Sequence, residues 1–237
     1  MDLVFEDSTK HQEKLQKDAL RQEDYDSLRR AAECHRQVRK HAQKFIKPGM
    51  RLIDICNEIE QTNRTLMGYD PQKPLEAGIA FPTGCSINNC AAHYTPNLGD
   101  ETVLQKGDVM KIDYGSHVNG LMTDCAFTWC IDPTFDNLIM AVKDATETGV
   151  KNAGIDVRVA DVGAAIVEVM ESYEVEIQNK VWPVKSIKNL NGHNMLRWRI
   201  HAGTQVPIYD NGSQKKMMEG EQYAIETFGS TGKGHVD

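Results

Sequence analysis

No stretch of this 237-residue chain approaches the roughly 18 consecutive apolar residues needed to cross a bilayer, which argues against a membrane protein. The opening residues, MDLVFEDSTKHQEKLQ, have none of the basic-then-apolar plan of a secretory signal, so the expected location is the cytoplasm. Basic charge is in deficit. The 27 Lys and Arg stand against 34 Asp and Glu, a net charge of −7 that argues against nucleic acid or an anionic membrane surface as the main partner. Cysteine is sparse too: Cys34, Cys56, Cys85, Cys90, Cys125 and Cys130 are too few for a disulfide scaffold, form no CxxC, and read as reduced thiols. What is present, 40% hydrophobic and 26% charged residues, is the balance of an ordinary globular protein. At this length folding removes roughly 70–75% of the unfolded chain's surface from water, enough for a core without staples.

Residues 1–26 are strongly polar, with charges of both signs, and read as a solvated helix or a flexible arm with no chemistry of its own. A helix is expected from Ser27, in SLRRAAECHRQVRKHAQKFI, stopped by Lys47-Pro48-Gly49. A second follows in RLIDICNEIEQTNRTLM, where Leu52, Ile55, Cys56, Ile59 and Leu66 keep roughly helical spacing. After an irregular segment over 68–108, VMKIDYGSHVNGLMTDCAFTWCI reads as two strands joined at Asn119-Gly120, the dipeptide best suited to the positive φ angles of a type I′ turn. Two more helices are expected over 134–153 and 158–174, then a second irregular, strand-rich stretch. The order helix, helix, irregular segment, strand thus occurs twice. Lys106-Gly107-Asp108-Val109-Met110-Lys111-Ile112-Asp113 matches Glu219-Gly220-Glu221-Gln222-Tyr223-Ala224-Ile225-Glu226, and Asn89 precedes His93 as Asn189 precedes His193, by four residues. Two halves related by a pseudo-twofold would bring the acid-bearing strands together at its axis.

With the hairpin centred on Asn119-Gly120, Asp113 stands opposite Ala126 and shares one face with Asp124 as its diagonal neighbour. Two carboxylates held that close repel, and either a shared proton or a dication resolves the conflict. The second half offers His193, His201 and Glu226 on segments that look equally strand-like. Three carboxylates with imidazole suit Mn, Fe, Co or catalytic Zn, and a pair of such dications would lower the pKa of a shared water for amide hydrolysis. The competing reading is satisfied polar residues in a hairpin. Other motifs carry less. The tail Phe228-Gly-Ser-Thr-Gly-Lys-Gly-His235 lacks phosphate-loop spacing, His11, His35 and His41 read as solvated, His117 as a turn residue, and Cys90 as a small filler.

The segments AGIAFPTGCSINNCAAHYTPN, KIDYGSHVNGLMTDCAFT, AVKDATETGVKNAGIDVR, EVMESYEVEI, NLNGHNMLRWRIHAG and EGEQYAIETFGSTGKG closely resemble the type 2 methionine aminopeptidases, the eukaryotic-archaeal branch, from about Asp24 to the last residues. The resemblance implies an α+β pita-bread fold whose pseudo-twofold related halves, about 27–130 and 131–237, form one catalytic domain around two divalent cations, Co, Mn, Fe or Zn. It implies that Asp113 binds one metal, Asp124 bridges both, and His193 and Glu226 bind the other. His93 and His201 match the family's two substrate-contacting catalytic histidines. Physically, an imidazole at 201 can bond the scissile amide or its oxyanion, and one at 93 can orient the N-terminal residue or move a proton. Phe81 and Ile200 are candidates for the wall of a methionine pocket. The implied activity is that of a cytoplasmic metallo-exopeptidase, a hydrolase that removes the N-terminal methionine from nascent proteins when the second residue is small, by attack of a metal-activated hydroxide. Implied partners are nascent polypeptide N-termini and the ribosome, with no direct nucleic-acid or membrane binding.

The chain also departs from that pattern. The family's set needs a further bridging glutamate on a strand after the position of Glu226, and the sequence stops at Asp237 before it. The first half of the repeat follows Asp113 with a strand bearing Asp124, and the second has no room for its counterpart. The expectation is therefore a catalytic domain incomplete at its C-terminus, with final strands missing, an unpaired edge and low stability. The lysine-rich N-terminal extension common in the family is absent, and Trp198 stands where tyrosine is expected. Two alternatives remain at this level: a non-catalytic binding protein or inactive truncated isoform on the same fold, and a proline-specific peptidase, which the type 2 motifs disfavour.

Overall fold

Two helices open the chain, α1 (Asp2–Phe45) and α2 (Leu52–Met67), on either side of the break at Lys47-Pro48-Gly49. The structure, a computed structural model, describes the chain from Asp2 onward, with side chains from Gln22 to Asp237. The backbone of the expected polar arm belongs to α1, and most of its side chains, His11 among them, lie outside the described residues. Along α1, Ala31, Cys34, Val38 and Ala42 are buried at three- and four-residue spacing, and α2 buries Leu52, Ile55, Cys56, Ile59 and Met67. Leu66, expected in that stripe, is exposed, and Met67 takes its place.

Four strands follow: β1 (Ala77–Ile79), β2 (Gly84–Ile87), β3 (Met110–Val118) and β4 (Leu121–Trp129). All pair antiparallel around β3, with β4 along one edge and β2 and β1 sharing the other. The β3–β4 connection is the two-residue turn Asn119-Gly120, with φ of 50° and 77°. Those positive angles match the strand twist, which is why this dipeptide fixes the register. One face of β3 places Met110, Ile112, Tyr114 and Val118 in a core with α1 and α2. The opposite face carries Lys111, Asp113, Gly115 and His117.

The plan then repeats. A short 3-10 turn at Pro133–Phe135 leads into α3 (Asp136–Asn152) and α4 (Val159–Met170). Next come β5 (Glu174–Ile177), β6 (Lys180–Pro183), β7 (Lys185–Ser186), β8 (Asn191–Met195), β9 (Gln205–Pro207), β10 (Gln222–Ala224) and β11 (Gly229–Ser230). β8 lies between β10 and β9, β5 pairs with β6, and β7 with β11. The helices bury Ala141, Ala145, Val162, Ile166 and Met170 in a second core with Val175, Val206 and Ile208.

Polar detail repeats along with the order of elements. Arg51 clamps Asp54 in the first turn of α2 and bridges to Val103; Arg158 clamps Asp161 in the first turn of α4 and bridges to Lys216. Asp108 accepts the Gln105 N–H just before β3, and Glu221 accepts the Met218 N–H just before β10. The match of Lys106-Gly107-Asp108 with Glu219-Gly220-Glu221 thus extends to the hydrogen bond its acid makes, although Gly220 takes a φ of 80° and Gly107 does not take a positive φ. The histidine match is not. Ser86 pairs with Lys111, two residues before Asp113, as His193 pairs with Ala224, two residues before Glu226. The counterpart of His193 is therefore Ser86, while His93 lies outside the strands at φ 65°. The equal spacing of Asn89 to His93 and Asn189 to His193 is a coincidence of sequence.

Candidate metal centre

The β3–β4 ladder sets Asp113 opposite Ala126 and Asp124 opposite Gly115, so the two carboxylates are diagonal neighbours on one face. The second half brings His193 from β8 and Glu226 from just past β10. His193 Nε2 lies 2.7 Å from Glu226 Oε1 and 3.4 Å from Asp124 Oδ2. Ligand atoms of Asp124, His193 and Glu226 all fall within 4.8 Å of one another. Close approach of β8 and β10 requires Gly192, because a Cβ there would stand 2.4 Å from the Ala224 carbonyl oxygen. Beyond Glu226, the Thr227 hydroxyl reaches Thr146 Oγ1 at 2.5 Å and the Val142 carbonyl at 3.1 Å, fastening this segment to α3.

The electrostatics follow from burial and from one another. Desolvation, then the charges of Asp124 and Glu226, push the Asp113 carboxyl up to about 7, with His193 opposing. Burial pulls His193 down, but its hydrogen bonds to Asp124 and Glu226 outweigh this and raise it to about 10. His201 is held below the ordinary imidazole range by burial and then by the neighbouring His193 charge. Its ring stands edge-on to His193, with centroids 4.0 Å apart. Asp113 Oδ1 is buried with no hydrogen-bond partner. An orphaned carboxylate oxygen beside two more carboxylates and an imidazole is a donor set that fits a divalent cation.

A model of the metallopeptidase family M24 matches residues 26–236, nearly the whole chain. The chain belongs to metallopeptidase family M24. Methionine aminopeptidase 2A of Arabidopsis thaliana is 58% identical over 228 residues, covering 96% of this chain and 51% of the relative. Methionine aminopeptidase 2-2 of Aspergillus niger is 55% identical over 231 residues, covering 96% and 54%. The chain spans about half the length of the curated relatives it matches. The solved methionine aminopeptidase of Thermotoga maritima superposes with a TM-score of 0.71 at 22% identity, over 90% of this chain and 82% of that one. A thermophilic Arx1 gives 0.70 at 20% identity, over 91% and 65%. These establish the pita-bread fold, and membership of M24 implies a divalent metal. No helix among the described residues is long and apolar enough to cross a membrane.

Not every candidate lies where the pattern placed it. His201 and Glu226 fall outside regular strands, His201 in the irregular stretch before β9 and Glu226 two residues past β10. His93 is exposed, close enough for its charge to lower His201 further. The Phe81 ring lies over Gly115, where a Cβ would be 2.4 Å from Phe81 Cε1, so it covers the strand position facing Asp124. His117 serves the turn as expected, its Nδ1 accepting from the Gly120 N–H at 3.4 Å, and it is buried at the edge of the Trp198 ring; the Trp198 backbone N–H donates to the Gly120 carbonyl across the halves. His41 is exposed as expected, paired with Glu58 at 2.8 Å. His35 corrects the sequence reading outright: it is 4% exposed and touches the backbone of both acid-bearing strands. The signal for it was present, since His35 follows Ala31 by four residues and precedes Val38 by three, on the buried stripe of α1.

Proposed function

We propose that this chain carries the catalytic metal centre of a methionine aminopeptidase, which removes the N-terminal methionine of nascent polypeptides when the next residue is small. The observation that carries the reading is the convergence of Asp124, His193 and Glu226 within 4.8 Å beside the unpartnered Asp113 carboxylate. Homology to relatives named methionine aminopeptidase 2 supplies the substrate class. In this reading Asp113 and Asp124 would hold one divalent cation and His193 and Glu226, with Asp124, a second; Mn, Co, Fe and Zn all suit the donors. The cations supply Lewis acidity and a water acidic enough to react at neutral pH.

The chain's own groups do the rest. His201, held below the ordinary imidazole range first by burial, donates a ring N–H to the substrate carbonyl and to the negative charge that grows on its oxygen. His93, at the exposed rim, orients the substrate's free amine or moves a proton to the departing one. Phe81, on the metal-bearing face, and Ile200, next to His201, give apolar walls for an unbranched thioether. The partners are nascent N-termini, with the ribosome as their source, and the location is the cytoplasm.

The test is release of methionine from Met-Ala-Ser by the protein that contains this chain, with Mn(II) added. Asp124→Ala is expected to lower turnover by several orders of magnitude while the fold is retained. Turnover unchanged by that substitution would refute the reading, and metal analysis finding no bound dication would favour a non-catalytic binding role instead.

A further inference from the structure

Beneath the site face, on the opposite side of the sheet, a single imidazole joins both acid-bearing strands. His35 Nε2 lies 3.0 Å from the Tyr114 carbonyl oxygen and 2.9 Å from that of Cys125. Tyr114 directly follows Asp113, Cys125 directly follows Asp124, and the two are register partners across the β3–β4 ladder. Carbonyls only accept, so Nε2 carries the proton and donates one N–H to two oxygens on neighbouring strands. The ring has little freedom to leave. It stacks on the Tyr114 ring with centroids 4.0 Å apart and planes 4° from parallel, and the Tyr114 hydroxyl donates back to the His35 carbonyl at 2.8 Å. His35 and Tyr114 are 4% and 1% exposed, so water does not compete for these bonds.

From this geometry we infer that His35 is a positioning residue for the Asp113–Asp124 pair, its forked N–H fixing the spacing of the two strands at the residue after each acid. The inference rests on the metal-centre reading for its consequence, though not for its geometry. Among the described residues β4 has β3 as its one strand partner, so the spacing of the two acids is set by this one ladder and by what packs across it. The Asn119-Gly120 turn sets the register of the ladder, five residues from Tyr114 and from Cys125. A donor shared between the two carbonyls holds the strand spacing at the acids themselves, because its contacts lengthen if either strand moves away.

The experiment compares His35→Phe and His35→Met, which lack the donor, with His35→Gln, whose amide nitrogen keeps one at similar reach. The first readout is amide hydrogen exchange by NMR in the metal-free 237-residue chain. Exchange at residues 113–115 and 124–126 should quicken by about tenfold in Phe and Met, with the β5–β6 hairpin unchanged, and return toward the parent rate in Gln. The second is Mn(II) affinity by calorimetry, expected to fall by about tenfold in Phe and Met and to be rescued by Gln. Equal exchange in all four chains, or a global acceleration that Gln does not reverse, would overturn the inference. So would failure of both donor-less variants to fold, since His35 would then determine the fold rather than position the pair. A parent chain that binds no Mn(II) would count against the metal reading alone, leaving the exchange result to decide the role of His35.

Discussion

Neutralising Asp113 should stabilise the metal-free chain while removing its capacity for metal, and the size of the gain can be worked from its surroundings. The carboxyl sits at about 7 against an ordinary 3.8, raised first by burial and then by Asp124 and Glu226. An acid with a raised folded pKa holds its proton more tightly folded than unfolded, so the metal-free chain loses stability as pH rises from about 4 to about 7 and does not regain it above. At about 1.4 kcal/mol per pH unit, the ionised Asp113 costs about 4 kcal/mol at pH 8. Asp113→Asn carries no charge to desolvate, and its amide can donate toward the neighbouring carboxylates. Discounting for bonds the amide leaves unmade, it should be about 2–4 kcal/mol more stable than the parent at pH 8 in EDTA, and level with it near pH 4. Mn(II) should reverse the order, because a ligand at a hundredfold its Kd adds about 3 kcal/mol to a chain that binds it. Urea unfolding followed by far-UV circular dichroism, with and without metal at both pH values, reads all four states. A variant less stable than the parent in EDTA at pH 8, or equally stabilised by Mn(II), would refute the reasoning.

His35 is depressed to about 4 from 6.5, mainly by burial, so its contribution is present above pH 6.5 and lost as pH falls toward 4. The loss approaches about 3 kcal/mol and should appear as a steeper acid limb of urea midpoints in the parent than in His35→Gln; parallel limbs would exclude it. Gly192→Ala would set a Cβ 2.4 Å from the Ala224 carbonyl oxygen, forcing β8 from β10. It should cost about 1–3 kcal/mol in thermal unfolding and weaken Mn(II) binding, and an unchanged calorimetric affinity would contradict the placement of Glu226. His193→Ala removes the nitrogen donor among Asp124, His193 and Glu226 and should lower Mn(II) affinity by at least about tenfold by calorimetry, with a parent-like isotherm the contrary result.

The parts legible in the sequence are those governed by local rules. Asn119-Gly120 dictated the hairpin turn, and with it the register that makes Asp113 and Asp124 diagonal neighbours. Helical periodicity gave α2, α3 and α4 to within a few residues, and Gly-acid spacing gave the repeat. What the sequence hid depends on contacts between distant segments. The burial of His35 depends on a sheet nearly eighty residues further on, and an imidazole among Arg36, Arg39 and Lys40 reads as solvated when those neighbours alone are weighed. The mismatch of His93 with His193 arises because sequence spacing does not count the residues that a strand pairing consumes. Glu226 was legible through the repeat that aligns it with Asp113, but the strand-like surroundings expected for it and for His201 are irregular in the structure.

Each half of the repeat supplies different members of the candidate ligand set, and the symmetry is broken where they meet. The first half places a carboxylate on each of two adjacent strands, a pairing that raises one pKa and stores repulsion. In the second half the counterpart of Ser86 is a histidine, and that one difference brings a nitrogen donor onto Asp124 and Glu226. The halves meet at the hairpin through backbone and side-chain hydrogen bonds and through the Trp198 ring, which packs on His117 and Gly120. Gln222 Nε2 donates to the Met122 carbonyl at 2.5 Å, the Trp198 N–H to Gly120 at 2.9 Å, and Arg197 to Asn119 at 2.5 Å. Without metal, a protonated His193 is the positive charge that holds the acids of both halves together. In the proposed centre a divalent cation would take over that electrostatic role with more charge and leave the imidazole neutral, so the groups that repel in the metal-free chain are the ones proposed to hold the metal.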